Sequence, residues 1–465
     1  MAHLHIIGIC GTAMAALAAL AQESQWQVSG SDSDVYPPMS TFLAERGIKV
    51  QEGYRADNLQ PPPDLVLVGN AISRGNPELE ALLDSSIPFM SGADWLHRHV
   101  LNGRHPVVVA GTHGKTTTSS LTAWLLEEAG WQPGFLIGGI PLNFGQGARF
   151  PQGNHVVVEG DEYDTAFFDK QAKFLHYWPR TLVLHNLEYD HADIYPDLES
   201  IRRQFRLLLR CVPSSGQVIA NGDDPEIRGL LDKVYSPVVL YGFDPSYPYA
   251  ARLLAENGSH WQLLRQGEPV LEVQWSLLGR HNIQNGLAAA AVALELGAEV
   301  ERVQRGLNSF QGVARRLQLR FTSHGVAVYD DFAHHPTAIA TTIAGLRASL
   351  STGGRIWVVV EPRSNTMRRR IHQDRLPQAL SGADGILLAR PAARGLPAHD
   401  LLDVDAIAHH LQSVGRFAQV VESAQEAINR LTEACYSGDH VVIMSNGGFD
   451  GIHDRLQLAM ERDHG

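Results

Sequence analysis

Cysteine is scarce in this chain, whose 465 residues include only Cys10, Cys211 and Cys435, all far apart. The absence of a CxxC pair excludes a cysteine-rich metal module and a framework of disulfides, so we expect reduced thiols. Long apolar runs are also missing, because none reaches the roughly 18 residues that a membrane span requires. No basic segment precedes the first apolar residues, which argues against a signal peptide. We therefore expect a soluble, cytoplasmic protein that does not insert into membranes.

Basic residues are also fewer than acidic residues in this chain. Lys and Arg total 38 against 50 Asp and Glu, and the formal net charge is -12. A general binder of nucleic acids or of anionic membranes needs a basic surface, so we expect neither as a partner. Small anionic substrates remain compatible with this charge, because a few local cations and backbone amides suffice to bind them.

Short apolar runs alternate with helix-like runs along the chain, in three successive segments. This alternation is typical of parallel, doubly wound sheets, and the chain is too long for a single core. We predict an α/β fold of three domains over residues 1–103, 104–312 and 313–465. The first and third domains are predicted to be Rossmann-like, and the central domain to have a mostly parallel sheet.

The sequence AGTHGKTTTS, residues 110–119, lies between the apolar run HPVVVAG and the helix-like run SSLTAWLLEEAG. A loop between a strand and a helix is the setting of a P-loop, although the usual four residues before the Gly-Lys pair are here two. Gly111 and Gly114 free backbone amides to face oxygen atoms, and the helix N-terminus adds partial positive charge. Lys115 can reach the β- and γ-phosphates, and Thr116 can ligate Mg²⁺. We therefore predict a central domain of the P-loop ATPase type.

Carboxylates cluster at the ends of two predicted strands of the central segment, in EGDEYD (159–164) and EYDHAD (188–193). Ligands of open α/β sheets bind beyond the carboxyl ends of the strands. Oxygen ligands suit Mg²⁺, and a neutral imidazole can complete such a site. Glu159 and His191 are therefore candidate ligands of a metal that bridges nucleotide phosphates, with solvated turns as the alternative.

The first predicted strand ends in a glycine turn, GICGTAM, with Gly8 and Gly11 before the first helix. Such a turn lets the helix N-terminus approach a phosphate, and Asp32 follows where an acidic residue contacts the ribose in dinucleotide sites. The spacing is Gly-x-x-Gly, not the dinucleotide pattern, so a turn without a ligand stays open as an alternative. The missing pattern and the intact Gly-Lys-Thr loop also argue against a nicotinamide-dependent dehydrogenase.

Together these motifs resemble those of the Mur ligase family, ATP-dependent enzymes that join amino acids or peptides to UDP-N-acetylmuramic acid. The resemblance covers essentially the whole chain. Its carriers are GTHGKTTT (111–118), EGDEYD, NLEYDHADIY (186–195), GRHNIQN (279–285), GVARR (312–316) and YDDFAHHP (329–336). The short phosphate loop is this family's form of the motif. The resemblance implies that ATP and Mg²⁺ are the cofactors and that the substrates are small molecules.

The resemblance also implies a role for each matching residue. The catalytic residues would be Lys115, Glu159, His191 and His335. The ATP site would consist of Gly111, Thr112, His113, Gly114, Lys115, Thr116, Thr117, His281, Asn282, Asn285, Arg316 and Asp331. The ligands of Mg²⁺ would be Thr116, Glu159 and His191. The UDP-sugar would contact Gly11, Thr12, Ser31, Asp32 and Asn70. Apart from the resemblance, the arginine-rich sequence EPRSNTMRRR (361–370) suggests that Arg363 and Arg369 contact the carboxylates of the acceptor, with a solvated basic helix face as the alternative.

Two branches of the family remain candidates, and they differ in the acceptor. GICGTAM, NFGQGA (143–148), EYDTAFFDK (162–170) and SNGGFDG (445–451) resemble the branch that joins the tripeptide L-alanyl-γ-D-glutamyl-meso-diaminopimelate to UDP-N-acetylmuramate in murein recycling. The branch that adds L-alanine in de novo peptidoglycan synthesis shares nearly every nucleotide motif and is the alternative. A non-catalytic nucleotide-binding module is a further alternative, but it would give the two acidic clusters at the strand ends no function.

Overall fold

The structure, a computed structural model, describes residues 1–36, 39–192, 194–350, 353–393 and 395–462. Asp193, the last residue of the second acidic motif, lies outside the described residues. The described residues form three large sheets, in each of which most neighbouring strands are parallel. This confirms the predicted α/β fold. Within the same residues, no helix is both long enough and apolar enough to cross a bilayer.

The first sheet is built from five strands. These are β1 (His3–Ile7), β2 (Gln27–Asp32), β3 (Lys49–Glu52), β4 (Leu65–Val68) and β5 (Phe89–Ser91). The accompanying helices are α1 (Thr12–Glu23), α2 (Met39–Glu45), α3 (Pro77–Leu83) and α4 (Gly92–Leu96). All pairs are parallel, in the order β3-β2-β1-β4-β5. The order reverses between β1 and β4, where doubly wound sheets bind ligands, and the Gly8–Gly11 turn directly follows β1.

Twelve strands are described in the second segment, and all of them except β10 and β11 form the ten-stranded second sheet. The strands of this segment are β6 (His105–Ala110), β7 (Gly134–Leu136), β8 (Ala148–Arg149), β9 (His155–Gly160), β10 (Asp164–Ala166), β11 (Asp169–Ala172), β12 (Thr181–Leu184), β13 (Gln217–Asn221), β14 (Val238–Gly242), β15 (Tyr249–Leu253), β16 (His260–Arg265) and β17 (Glu268–Gln274). Its helices are α5 (Lys115–Glu128), α6 (Leu198–Arg210), α7 (Pro225–Arg228), α8 (Arg280–Glu295) and α9 (Val300–Ser309). The order is β17-β16-β15-β14-β13-β12-β6-β9-β7-β8, while β10 and β11 form a separate antiparallel hairpin. The strand β6 lies between β12 and β9, so the phosphate loop after β6 has an acidic strand end on each side.

The third sheet has six strands. The strands are β18 (Gln318–Ser323), β19 (Val326–Asp331), β20 (Ile356–Val360), β21 (Gly385–Ala389), β22 (Phe417–Val421) and β23 (His440–Met444). The helices are α10 (Pro336–Ser349), α11 (Leu376–Leu380), α12 (Val404–Ser413), α13 (Ala424–Ala434) and α14 (Ile452–Arg462). The order is β18-β19-β23-β20-β21-β22, and only the edge pair β18–β19 is antiparallel among these strands.

Helix α8 is the buried centre of the second segment. Every residue from 285 to 294 is buried, which matches its alanine-rich sequence NGLAAAAVAL. An apolar helix of this kind packs inside a domain and not on its surface. Because α8 packs against α5, its first turn comes next to the phosphate loop.

Candidate active site

One cavity of about 2040 Å³ lies where the three sheets meet. Its wall includes the turn after β1, the phosphate loop, the ends of β9 and β12, the first turn of α8 and the loop after β19. A pocket for a single small molecule typically encloses roughly 300–1,000 Å³. The cavity therefore has room for more than one substrate, and it brings all three segments of the chain to them.

The phosphate loop is shaped by its two glycines and by the neighbouring strand end. Gly114 has φ +78 and stands directly before the first residue of α5. The side chain of Asn186 accepts from the backbone N–H of His113 at 2.7 Å, and the backbone of Asn186 accepts from Thr112 at 3.0 Å. Among the described residues, no side chain caps the N-terminus of α5. The amides of this first turn are thus available to an anion, as phosphate binding requires.

Lys115 is held by a buried carboxylate that the sequence analysis did not single out. Its Nζ donates to the two oxygens of Glu162 at 3.1 and 2.9 Å, and Glu162 is 2% exposed. The same carboxylate lies 2.9 Å from Nε2 of His191. Burial lowers the pKa of both groups, but Glu162 together with Asp161 and Glu159 raises that of Lys115, and Glu162 together with Asp190 raises that of His191. Glu162 therefore favours the protonated forms of Lys115 and His191 beside the phosphate loop.

Thr116 and Glu159 bring oxygen atoms together at the start of α5. The hydroxyl of Thr116 donates to Glu159 Oε1 at 2.9 Å, and the backbone N–H of Gly138 donates to Oε2 at 2.7 Å. Arg316, 200 residues away in the chain, donates to the Thr116 hydroxyl at 3.2 Å. A hydroxyl and a carboxylate in contact form a donor set that suits Mg²⁺.

The N-terminal end of α8 supports the loop from behind. The Asn285 side chain accepts from the hydroxyl of Thr118 at 3.1 Å and donates to Asn282 at 3.1 Å. The pKa of His281 is lowered to about 4 by burial and, secondarily, by Arg316, so its imidazole is neutral near pH 7. Asn285 itself is buried, and its amide is committed to neighbouring side chains.

The end of β19 and the loop that follows it carry a buried carboxylate and two histidines. Asp331 accepts from the backbone N–H groups of Leu317 at 2.6 Å and Ala333 at 2.7 Å, and burial raises its pKa. These bonds hold the loop that presents Arg316 to the cavity. His335 is 1% exposed, and its ring lies 4.4 Å from that of His113, centroid to centroid. Burial also lowers the pKa of His335 and that of His334.

The turn after β1 is organised around Asp32. Its carboxylate accepts from the backbone N–H of Cys10 at 2.8 Å and from the Tyr54 hydroxyl at 3.2 Å. Gly11 precedes the first residue of α1, and no side chain among the described residues caps that helix N-terminus. This first turn has the same exposed amides as the phosphate loop, and the two face one cavity.

Comparison with known proteins agrees with this arrangement. Three family models match in succession: "Mur ligase family, catalytic domain" over residues 3–104, "Mur ligase middle domain" over 109–293 and "Mur ligase, glutamate ligase domain" over 315–447. The chain belongs to the Mur ligase family.

Similar Mur ligases differ in the acceptor that their names state. The chain is 46% identical to the UDP-N-acetylmuramate–L-alanyl-γ-D-glutamyl-meso-2,6-diaminoheptandioate ligase of Escherichia coli K12, over 97% of each chain. It is 32% identical to the UDP-N-acetylmuramate–L-alanine ligase of Agathobacter rectalis, over 98% of this chain and 97% of the relative. The crystal structure of a murein peptide ligase from Psychrobacter arcticus 273-4 matches with a TM-score of 0.75 and 39% identity, over 99% of both chains.

Most of the residues predicted for this Mur ligase site lie together. The cavity is lined by Gly11, Thr12, Asp32, Asn70, Thr112, His113, Gly114, Lys115, Thr116, Thr117, Glu159, His191, His281, Asn282, Asn285, Arg316, Asp331, His335 and Arg363. The lining does not include Gly111, Ser31 or Arg369. Ser31 is fully buried, and its hydroxyl donates to Glu78 at 2.9 Å, behind the turn.

Glu162 is a site residue that the sequence analysis missed. The motif EGDEYD was noted for its carboxylates, but spacing alone does not say which of them turns toward the phosphate loop. A usable signal was the expected closeness of Lys115 and His191, because a lysine and a histidine in one buried site need a carboxylate as counter-ion.

Proposed function

We propose that this Mur ligase joins L-alanyl-γ-D-glutamyl-meso-diaminopimelate to UDP-N-acetylmuramate with ATP, in the recycling of murein peptides. The single observation that carries the proposal is the shared cavity, in which the turn after β1, the phosphate loop and Arg363 face one space. The tripeptide is favoured over L-alanine because identity to the tripeptide-named relative is 46%, against 32% to the alanine-named one. A reaction that consumes ATP and a UDP-sugar belongs in the cytoplasm.

The chemistry requires activation of a carboxylate, since oxide is too poor a leaving group for direct amide formation. In the first step, a lactyl carboxylate oxygen of the UDP-sugar bonds to the γ-phosphorus of ATP. The bond from that phosphorus to the β–γ bridging oxygen breaks, and ADP leaves. In the second step, the alanyl amine attacks the acyl carbon of the acyl phosphate. Inorganic phosphate leaves with the C–O bond pair, and the amine loses a proton.

Both reactants of the first step are anions, so the main task of the protein is to position them and offset their charge. Lys115 and Arg316 are two of the cations that line the cavity, and both lie beside Thr116. Mg²⁺, held by Thr116 and Glu159 with His191 nearby, would neutralise phosphate charge when bound. The first turn of α5 would supply the backbone amides that cradle the phosphates.

The three segments would divide the substrates between them. We assign the UDP-sugar to residues 1–103, with Gly11, Thr12, Asp32 and Asn70 in contact and Ser31 supporting the turn through Glu78. Residues 104–312 would hold ATP, with the adenine near His281 and Asn282. Residues 313–465 would bring the acceptor, whose carboxylates suit Arg363 in the cavity wall and Arg369 beyond it. Since all three segments meet at one cavity, we expect closure on substrate binding.

The test offers purified protein ATP, Mg²⁺ and UDP-N-acetylmuramate, with either the tripeptide or free L-alanine as acceptor, and follows phosphate release. Turnover with the tripeptide and little with L-alanine is the expected result. The reverse preference would assign the chain to the alanine-adding branch. Mass spectrometry of the product should show the UDP-sugar joined to the whole tripeptide through one new amide.

A further inference from the structure

Three donor side chains from separate loops converge beside the phosphate loop. His113 belongs to that loop, Glu188 follows β12, and His335 precedes α10. One ligand atom from each lies within 4.8 Å of the others. His113 Nε2 is 3.8 Å from Glu188 Oε1, and His335 Nδ1 is 4.0 Å from Glu188 Oε2. These separations are slightly longer than the spacing of ligands around one bound ion. Because His335 Nδ1 accepts from the Thr337 N–H at 3.3 Å, the ring nitrogen left for a ligand is Nε2.

His113 and His335 each have a ring nitrogen that makes no hydrogen bond to the described residues. The Nε2 atoms of His113 and His335 are both buried, and neither has a hydrogen-bond partner among the described residues. The side chain of His335 as a whole is 1% exposed. A buried polar atom without a partner is costly unless a ligand supplies one.

Glu188 is already oriented by its neighbours. Its Oε2 accepts from the Thr337 hydroxyl at 2.8 Å and from Arg375 at 3.0 Å. Oε1 is the oxygen nearer to His113. Outer partners of this kind hold a ligating carboxylate in place and are a regular feature of metal sites.

We infer that His113, Glu188 and His335 bind a divalent transition metal of the zinc class, at a site separate from the proposed magnesium ligands. Two imidazoles and one carboxylate are a donor set that zinc accepts, whereas Mg²⁺ prefers oxygen ligands throughout. All three residues line the cavity, so a fourth coordination position is open to water or to a substrate oxygen.

A metal at this site would join the central segment to the C-terminal one. His113 and Glu188 come from the central segment, while His335 lies beyond β19 in the third sheet. Because the proposed reaction needs the segments to open and close, bound zinc should slow turnover. That consequence rests on the proposed function, whereas metal binding itself does not and is measured without substrates.

The experiment uses the full chain, stripped of metal and kept in excess Mg²⁺. Calorimetry measures Zn²⁺ binding, and the visible absorption of Co²⁺ reports whether nitrogen ligands surround the probe in tetrahedral geometry. His335→Asn removes the imidazole but keeps a side chain able to accept from the Thr337 N–H. Glu188→Gln removes the anionic donor. The control is His260→Gln, which breaks another His–Glu pair, at 2.6 Å and far along the chain.

The expected result is one equivalent of Zn²⁺, with binding weakened by more than roughly 100-fold in both site variants, beyond the loss from removing an outer partner alone. The control should bind as the wild type does. Equal zinc affinity in wild type and His335→Asn, or an equal loss in His260→Gln, would overturn the inference. If His335→Asn does not fold by circular dichroism, His113→Gln and Glu188→Gln decide the outcome by the same criterion.

Discussion

Lys115 Nζ lies 2.9 Å from Glu162 Oε2, so the lysine of the phosphate loop is paired with a carboxylate of the protein itself. Both side chains are largely buried, and His191 shares the same carboxylate. A bound phosphate must therefore compete with Glu162 for Lys115. This competition makes Glu162 a residue that tunes nucleotide affinity and holds His191 in place.

Glu162→Gln should strengthen ATP binding and slow turnover. The neutral side chain no longer competes for Lys115, whereas His191 loses the charge that holds it. Losing one partner of a buried ion pair should also lower the free energy of unfolding by about 3–5 kcal/mol, and ATP should restore part of that loss. Calorimetry with ATP, steady-state kinetics and denaturant unfolding measure these effects. Weaker ATP binding together with unchanged turnover would contradict the competition.

Lys115→Ala should reduce turnover by roughly 100- to 1,000-fold or more, since it removes a cation from the transferring phosphoryl group. Binding of UDP-N-acetylmuramate should persist, because the turn after β1 is untouched. The matched control is Lys170→Ala, an exposed lysine paired with Asp164 at 2.6 Å, which should keep wild-type kinetics. Wild-type turnover by Lys115→Ala would refute the role assigned to the lysine.

Gly114→Ala should abolish ATP binding, and Gly103→Ala should not. Both glycines have φ +78, so each substitution carries the same backbone strain of about 1 kcal/mol. At Gly114 the new Cβ would lie 2.5 Å from Asn285 Oδ1, while at Gly103 no atom lies within 4 Å. The overlap should add about 1–3 kcal/mol to the loss of stability. Parallel unfolding curves and ATP titrations compare the two, and equal behaviour would show that the contact with α8 is unimportant.

His372 should make the protein less stable in acid. Both of its ring nitrogens are buried without a hydrogen-bond partner among the described residues, and burial lowers its pKa to about 4. In the unfolded chain a histidine takes up its proton near pH 6.5. Between these pKa values only the unfolded state gains the proton, so the free energy of unfolding falls by about 1.4 kcal/mol per pH unit as pH drops.

His372→Leu should remove that contribution. Denaturant unfolding of wild type and variant, followed from about pH 7 to about pH 4, isolates it as the difference between two slopes. The same substitution at the exposed His410 serves as control and should leave the wild-type slope. Parallel slopes for wild type and His372→Leu would show that the residue does not contribute in this range.

Local sequence was enough to predict much of the fold and of the phosphate site. Alternating apolar and helix-like runs predicted three mostly parallel α/β sheets, because each run forms its element largely from its own residues. The Gly111–Thr116 loop was recognisable because a strand, a glycine turn and a helix start adjoin in sequence. The carboxyl ends of parallel strands share one edge, so Glu159 and His191 could be expected near that loop.

Only the tertiary structure decided how side chains from distant segments pair. It joins Asn285 to Thr118 across 167 residues and Arg316 to Thr116 across 200. It also turns Ser31 toward Glu78 and selects Glu162, among several carboxylates of one motif, as the partner of Lys115. The spacing of apolar and turn residues along the chain determines which helices and strands form. The order of strands in the sheets and the packing of α8 determine which side chains meet.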